Sequence, residues 1–199
     1  MANKITMPEK KFRRLLFEEI NPQANEKILE FGFGTGQNLI LVNKANSKAK
    51  LEGLDIDPKV KAIAEHKLAK NKIELPLHLY DGGILPFTDN SFDKVYSCLV
   101  FHQLDAETKL NCLQELNRVL KPNGKLVIAD WGKAQNKLMR FTFRLVQLLD
   151  GFKTTNDNVK GLMPDFISKA GFDNVLVTKS INTAIGTFSY FNGTKNEIY

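Results

Sequence analysis

The stretch LEFGFGTGQN, residues 29–38, decides how the rest of the chain reads. Three glycines, Gly32, Gly34 and Gly36, stand at alternate positions, with the acid Glu30 just before them. Glycine tolerates positive φ and lets a ligand approach the main chain. An apolar run that ends in glycines and passes into a helix marks the turn after a strand of an open parallel sheet. Such folds bind their ligands there, beyond the carboxyl ends of the strands. The helix that follows offers free N–H groups.

Outward from this stretch, strand and helix signals alternate. KILEFG (27–32) reads as a first strand and residues 36–45 as a helix. KLEGLD (50–55) is a second strand, followed by a helix that Asp57 caps and Pro58 opens. LPLHLYD (75–81) and FDKVYSCLV (92–100) are the third and fourth strands. ETKLNCLQELNRVL (107–120) is an amphipathic helix stopped by KPNG (121–124), and KLVIADW (125–131) is a fifth strand. This alternation predicts an α/β fold, a parallel sheet covered by helices on both faces. After Trp131 the pattern changes. Residues 132–152 carry a long helix and MPDFISKAGF (163–172) a short one that ends at Gly171. Two strands, NVLVTKSIN (174–182) and AIGTFSYFN (184–192), then follow in close succession. So short a link predicts an antiparallel hairpin that closes the sheet. The segment before the first strand, with Phe12 and Phe17, is placed to cover a ligand at the glycine turn.

The 199 residues suit one domain with a substantial core. Hydrophobic residues at 43% and charged residues at 25% are globular proportions. No apolar run approaches the ~20 residues of a membrane span. The opening MANKITMPEKKFRR has charges without an apolar segment behind them, unlike a secretory signal. The expectation is a soluble, cytoplasmic protein with Cys98 and Cys112 as free, buried thiols. A net charge of +6 raises nucleic acid or an anionic membrane as partners. Residues 21–131, however, carry 14 basic and 14 acidic side chains, so the excess lies in the flanking parts.

The glycine turn is neither of the common phosphate cradles. A G-x-G-x-x-G fingerprint would need its last glycine at Gln37 or Leu39, and no G-K-[ST] follows. Glu30 would also repel a pyrophosphate. It suits a ligand with positive charge near the turn, such as S-adenosylmethionine, which has an ammonium and a sulfonium and no phosphate. Asp55 closes the second strand 19 residues past Gly36, where a carboxylate accepts from ribose hydroxyls. Asp81 closes the third strand, where it would accept from an adenine amino group beside the main chain of Gly82. Each acid has a plainer reading, Asp55 as a helix cap and Asp81 as a turn residue. Asp57 fits the cap better, and together the acids and glycines converge on one ligand.

Four segments, ILEFGFGTG, LEGLDID, DGGILPFTDNSFDKVYS and LNRVLKPNGKLVIADW, lie in order over residues 28–131. In them the chain resembles the class I S-adenosylmethionine-dependent methyltransferases. More narrowly it is similar to the type 11 group, which includes ubiquinone and menaquinone C-methyltransferases. The resemblance implies a Rossmann-like seven-stranded sheet in the order 3-2-1-4-5-7-6, with strand 7 antiparallel. It implies a single domain over residues 1–199: a cofactor half at 21–131, a helical lid at 132–163 and a closing helix and hairpin at 164–193. By the same resemblance Glu30 would hold the methionine ammonium through water. Gly32, Gly34, Thr35 and Gly36 would border methionine and ribose. Asp55 would take the ribose hydroxyls, with Ile56 against the adenine, while Asp81 and Gly82 would read that base. Residues 97–101, Leu99 among them, would line the floor near the methyl group. Phe33 departs from the small or polar residue usual in such loops, and reads as a packing residue.

Methyl transfer is a direct displacement, so orientation matters most. A base is needed only if the acceptor must lose a proton. His102 in CLVFHQLD is the candidate, with packing or helix capping as its plainer role. His66 and His78 lie within a helix and a strand and are poor candidates, and no Cys/His spacing suggests a metal. Trp131 stands where acceptor meets cofactor, either stacking on a flat substrate or serving as a wall. In the expected lid, Lys133, Lys137, Arg140 and Arg144 recur at helical spacing. They form a solvated basic face, or one with Arg140 toward an anionic acceptor or lipid headgroups. SCLVFHQ replaces the Asn/Asp-Pro-Pro-Tyr signature of base-methylating enzymes, which disfavours a nucleic-acid acceptor. Three readings stay open: a methyltransferase acting on a small molecule, a cofactor-binding regulatory protein without turnover, and a methyltransferase acting on a lipid or macromolecule.

Overall fold

The computed structural model describes residues 9–133, 157, 160–183 and 186–197. Seven strands form one sheet: β1 (Lys27–Phe31), β2 (Lys50–Asp55), β3 (Leu77–Leu79), β4 (Phe92–Cys98), β5 (Leu120–Trp131), β6 (Phe172–Asn182) and β7 (Thr187–Lys195). Their order is β3-β2-β1-β4-β5-β7-β6, as the family resemblance implies. β3, β2, β1, β4 and β5 run parallel, and β7 pairs antiparallel with both β5 and β6. The described α-helices include α1 (Glu9–Ile20), α2 (Gln37–Ala45), α3 (Pro58–Lys70), α4 (Ala106–Val119) and α5 (Met163–Lys169).

Local chemistry sets the helix starts. Asp57 accepts from the Lys59 N–H at 2.8 Å with Pro58 in the first position of α3. Asp105 caps α4 through the Thr108 N–H at 2.8 Å. Each satisfies a donor that has no partner inside the helix, an interaction worth ~1 kcal/mol.

The sheet separates two cores by strand alternation. Ile28, Tyr96, Val127 and Ala129 face a layer with Leu39, Phe188 and Tyr190. Leu29, Phe31, Val95 and Ile128 face the other, with Leu113 and Leu116 of α4 and Ile167 of α5. Successive residues of β1, β4 and β5 thus go to opposite layers. Hence these central strands bury side chains on both faces, mostly apolar ones, rather than alternating between a buried and a solvent-facing row.

The segment before β1 is a full helix, which the sequence reading left unassigned. Phe12, Leu16 and Ile20, four residues apart, are buried in the first core. Phe12 meets Phe188 edge-on with centroids 4.5 Å apart. The Tyr190 hydroxyl donates to the Phe12 carbonyl at 2.7 Å, and Lys125 Nζ to the Glu19 carbonyl at 2.7 Å. Each of the three buried side chains contributes roughly 1.5–3 kcal/mol of burial.

Other boundaries shift. β3 keeps only residues 77–79 of the seven expected, since its partner β2 ends at Asp55 and the chain then turns at Gly82, φ +95°. β5 begins at Leu120, but its pairing jumps from Phe92↔Leu120 to Lys94↔Lys125, so KPNG loops out of the ladder. The long helix expected over 132–152, and with it Lys137, Arg140 and Arg144, falls outside the described residues, as does most of the expected lid. Among the described residues no helix is long and apolar enough to cross a membrane. Cys98 and Cys112 are free, Cys98 partly and Cys112 fully buried.

Candidate active site

A cavity of about 590 Å³ opens at the carboxyl ends of β1, β2 and β4. The glycine turn forms one wall. Gly32 is held at φ +74° against Val100, whose Cγ2 would lie 2.3 Å from an added Cβ. Gly34, at φ +51°, has nothing within 4 Å of that position, so its main chain is bare toward the cavity. Its N–H donates to Asp55 Oδ2 at 2.8 Å, tying the turn to the end of β2. The other Asp55 oxygen accepts from the N–H groups of Ile56 and Asp57 at 2.8 and 3.1 Å. Ile56 is 60% exposed at the cavity edge, an apolar face without a protein partner over most of its surface.

Leu99 lines the floor with Cys98 and Val100. Its φ of +59° is strained for a branched side chain, and its N–H is held by the Ala129 carbonyl at 2.9 Å. Backbone strain of this kind concentrates at functional sites. Ser97, beneath them, is buried and donates to the Phe31 carbonyl at 2.8 Å. Phe33 is buried in the first core, as a packing residue should be, with one edge on the cavity. Thr35 lines the rim and accepts from Lys67 Nζ at 2.8 Å.

Of the ten cofactor residues expected from the sequence, Gly32, Gly34, Thr35, Asp55, Ile56 and Leu99 line this cavity. Four do not. Gly36 precedes α2, where a Cβ would sit 3.0 Å from that of Ala64. Asp81 and Gly82 are exposed on the loop after β3, with Asp81 accepting from the Gly83 N–H at 3.0 Å. Glu30 lies fully buried behind the wall. It accepts from Asn38 Nδ2 and from the Tyr96 hydroxyl, each at 3.0 Å. Burial pushes its carboxyl up to about 8, against the pull of those hydrogen bonds and of Arg13. Glu30 therefore reaches the cavity through Asn38, which does line it.

Sequence reasoning missed Arg13, Asn38 and Tyr80 as lining residues. Asn38 is the second residue of α2, just beyond the glycines that drew attention. Arg13 has only its neighbour Phe12 as a signal.

His102 and Asp130 form a second arrangement beside the cavity. His102 Nδ1 is 2.7 Å from Asp130 Oδ1, and its N–H donates to Oδ2 at 3.0 Å. The Trp131 N–H also donates to Asp130, at 2.7 Å. All three residues are buried. The Trp131 ring packs edge-on against Phe188, centroids 5.9 Å apart. Arg140 lies outside the described residues.

A model of the family described as "Methyltransferase domain" (Methyltransf_11) matches residues 29–128, half of the chain. The chain belongs to this methyltransferase family. Its methyl donor is S-adenosylmethionine. An uncharacterized methyltransferase of Bacillus licheniformis is 32% identical over 117 residues, which cover 58% of this chain and 52% of that one. A demethylmenaquinone methyltransferase of Lactobacillus johnsonii is 26% identical over 188 residues, covering 84% and 76%. The crystal structure of the YcgJ protein from Bacillus subtilis shares the fold at a TM-score of 0.77 and 15% identity, covering 95% of this chain and all of that one. The methyltransferase cavity suits the donor: bare main chain at Gly34, a carboxylate at Asp55, an apolar face at Ile56 and a buried acid behind Asn38.

Proposed function

We propose that this methyltransferase moves the methyl group of S-adenosylmethionine to a small-molecule acceptor by direct displacement, leaving S-adenosylhomocysteine. The hydrogen bond from the Gly34 N–H to Asp55 carries the reading. It leaves Oδ2 with one lone pair for a ligand beside the glycine turn at a strand end, while Oδ1 is taken by the Ile56 and Asp57 N–H groups, and this is where a ribose is met. Asp55 then accepts from the ribose hydroxyls and Ile56 covers one face of the adenine. Asp81 and Gly82 meet the adenine edge at the outer rim. The ammonium lies against Asn38, with Glu30 supplying charge from behind. Gly32, Thr35, Gly36 and Leu99 shape the methionine path.

The sulfonium already carries its leaving group, so the protein's share is to align nucleophile, methyl carbon and sulfur. Alignment of this kind is worth roughly 7–11 kcal/mol. His102, oriented by Asp130, takes a proton only from an acceptor that must lose one. Trp131 bounds the acceptor side as a wall. The whole chain acts as one domain. Relatives named demethylmenaquinone methyltransferases make flat, apolar quinols and phenols the first acceptors to try.

Calorimetric titration with S-adenosylmethionine, alongside Asp55→Ala, tests the donor site. Binding at micromolar affinity that the variant loses supports it, and no binding by the folded wild type overturns it. Release of S-adenosylhomocysteine in an acceptor panel tests turnover.

A further inference from the structure

We propose that Arg13 is the counter-ion for the α-carboxylate of the bound donor, so that α1 supplies the amino-acid end of the site. This rests on the cavity being the S-adenosylmethionine site.

Among the described residues that line the cavity, Arg13 is the one cationic side chain. The donor's methionine end carries an ammonium and a carboxylate on the same carbon. A site that binds one must satisfy the other within a few ångströms. Asn38 joins an acidic and a basic group: its Nδ2 donates to Glu30 at 3.0 Å, and its Oδ1 accepts from Arg13 Nη1 at 2.5 Å. An acid and a guanidinium thus stand on either side of one amide, as an amino-acid zwitterion requires. Without Arg13, the carboxylate would enter a cavity whose other charged lining groups are Asp55 and Asp57.

The guanidinium is already held in place. Its Nε and Nη2 donate to Glu9 at 3.1 and 2.9 Å. With the bond to Asn38, three of its five N–H groups are used, leaving one on each terminal nitrogen. A carboxylate accepts well from such paired donors. The backbone beneath is fixed by the Tyr190 bond to the Phe12 carbonyl and the Phe12–Phe188 contact. Arg13 therefore arrives preorganised.

The test compares S-adenosylmethionine with decarboxylated S-adenosylmethionine, which differs only in the carboxylate, by calorimetry on the full chain. Arg13→Gln is expected to weaken S-adenosylmethionine about 10- to 100-fold and leave the decarboxylated compound within about twofold. Equal losses for both compounds would overturn the assignment, since Arg13 would then act only by positioning Asn38. No loss for either would overturn it as well. A folded wild type that binds neither compound overturns the donor site itself, a result distinct from both. Circular dichroism checks that the variant folds, and Arg13→Lys, which keeps charge but not the fork, carries the same comparison if it does not.

Discussion

Asn38 donates to a carboxyl that no solvent reaches: its Nδ2 lies 3.0 Å from Glu30, which is fully buried. The carboxyl is held near pKa 8 by desolvation, so it is largely protonated at neutral pH. A cationic ligand at Asn38 reverses that balance, because a nearby positive charge favours the ionised form.

Donor binding is therefore expected to expel a proton. At pH 7 the release should approach about one per ligand, read from calorimetry in buffers of different ionisation enthalpy. The ligand's own amine also titrates in this range, so Glu30→Gln is the control that should abolish the Glu30 share. Affinity for the donor should rise between about pH 6 and 8 in the wild type and stay flatter in the variant.

The same group sets a stability slope. Its folded pKa of about 8 lies above the unfolded value of 4.5, so the folded state holds the extra proton. The stability it contributes is present below about pH 4.5 and is lost as the pH rises toward 8. Glu30→Gln should remove that loss and stabilise the empty protein at pH 8–9 by a few kcal/mol, at about 1.4 kcal/mol for each tenfold change in proton affinity. Melting curves from pH 5 to 9 would show it, and parallel curves for both proteins would sink the idea.

The two glycines with contrasting surroundings should separate folding from binding. Gly32→Ala drives a methyl into Val100, and the strain should cost about 1–3 kcal/mol of stability. Gly34→Ala meets no atom, so beyond ~1 kcal/mol of backbone strain its effect should fall on donor affinity. Denaturant unfolding and ligand titration of the pair distinguish these costs.

Asp130 accepts three hydrogen bonds in a buried setting. Asp130→Ala leaves those donors unmatched and should destabilise the protein by about 3 kcal/mol or more. His102→Gln should leave donor affinity within about twofold. For an acceptor that loses a proton, it should lower kcat and remove the acid limb of the pH–rate profile. An unchanged profile would assign His102 to packing.

Sequence alone determined the alternation of strands and helices, the antiparallel close, and the cavity wall from Gly32 to Asp55. These features depend on near neighbours: glycines with one conformational task, Asp57 and Pro58 at a helix start, apolar runs of strand length. Phe33 was legible as packing for the same reason. What tertiary structure decided involves residues far apart in the chain. Arg13 reaches the site only because α1 packs on β7 through Phe12, Phe188 and Tyr190, a contact spanning 178 residues between the Phe12 carbonyl and the Tyr190 hydroxyl. Glu30 stands fully buried behind Asn38, because a central strand of a doubly covered sheet buries its side chains on both faces. His102 and Asp130 meet because parallel β4 and β5 end side by side, a juxtaposition that sheet order creates and local sequence does not encode.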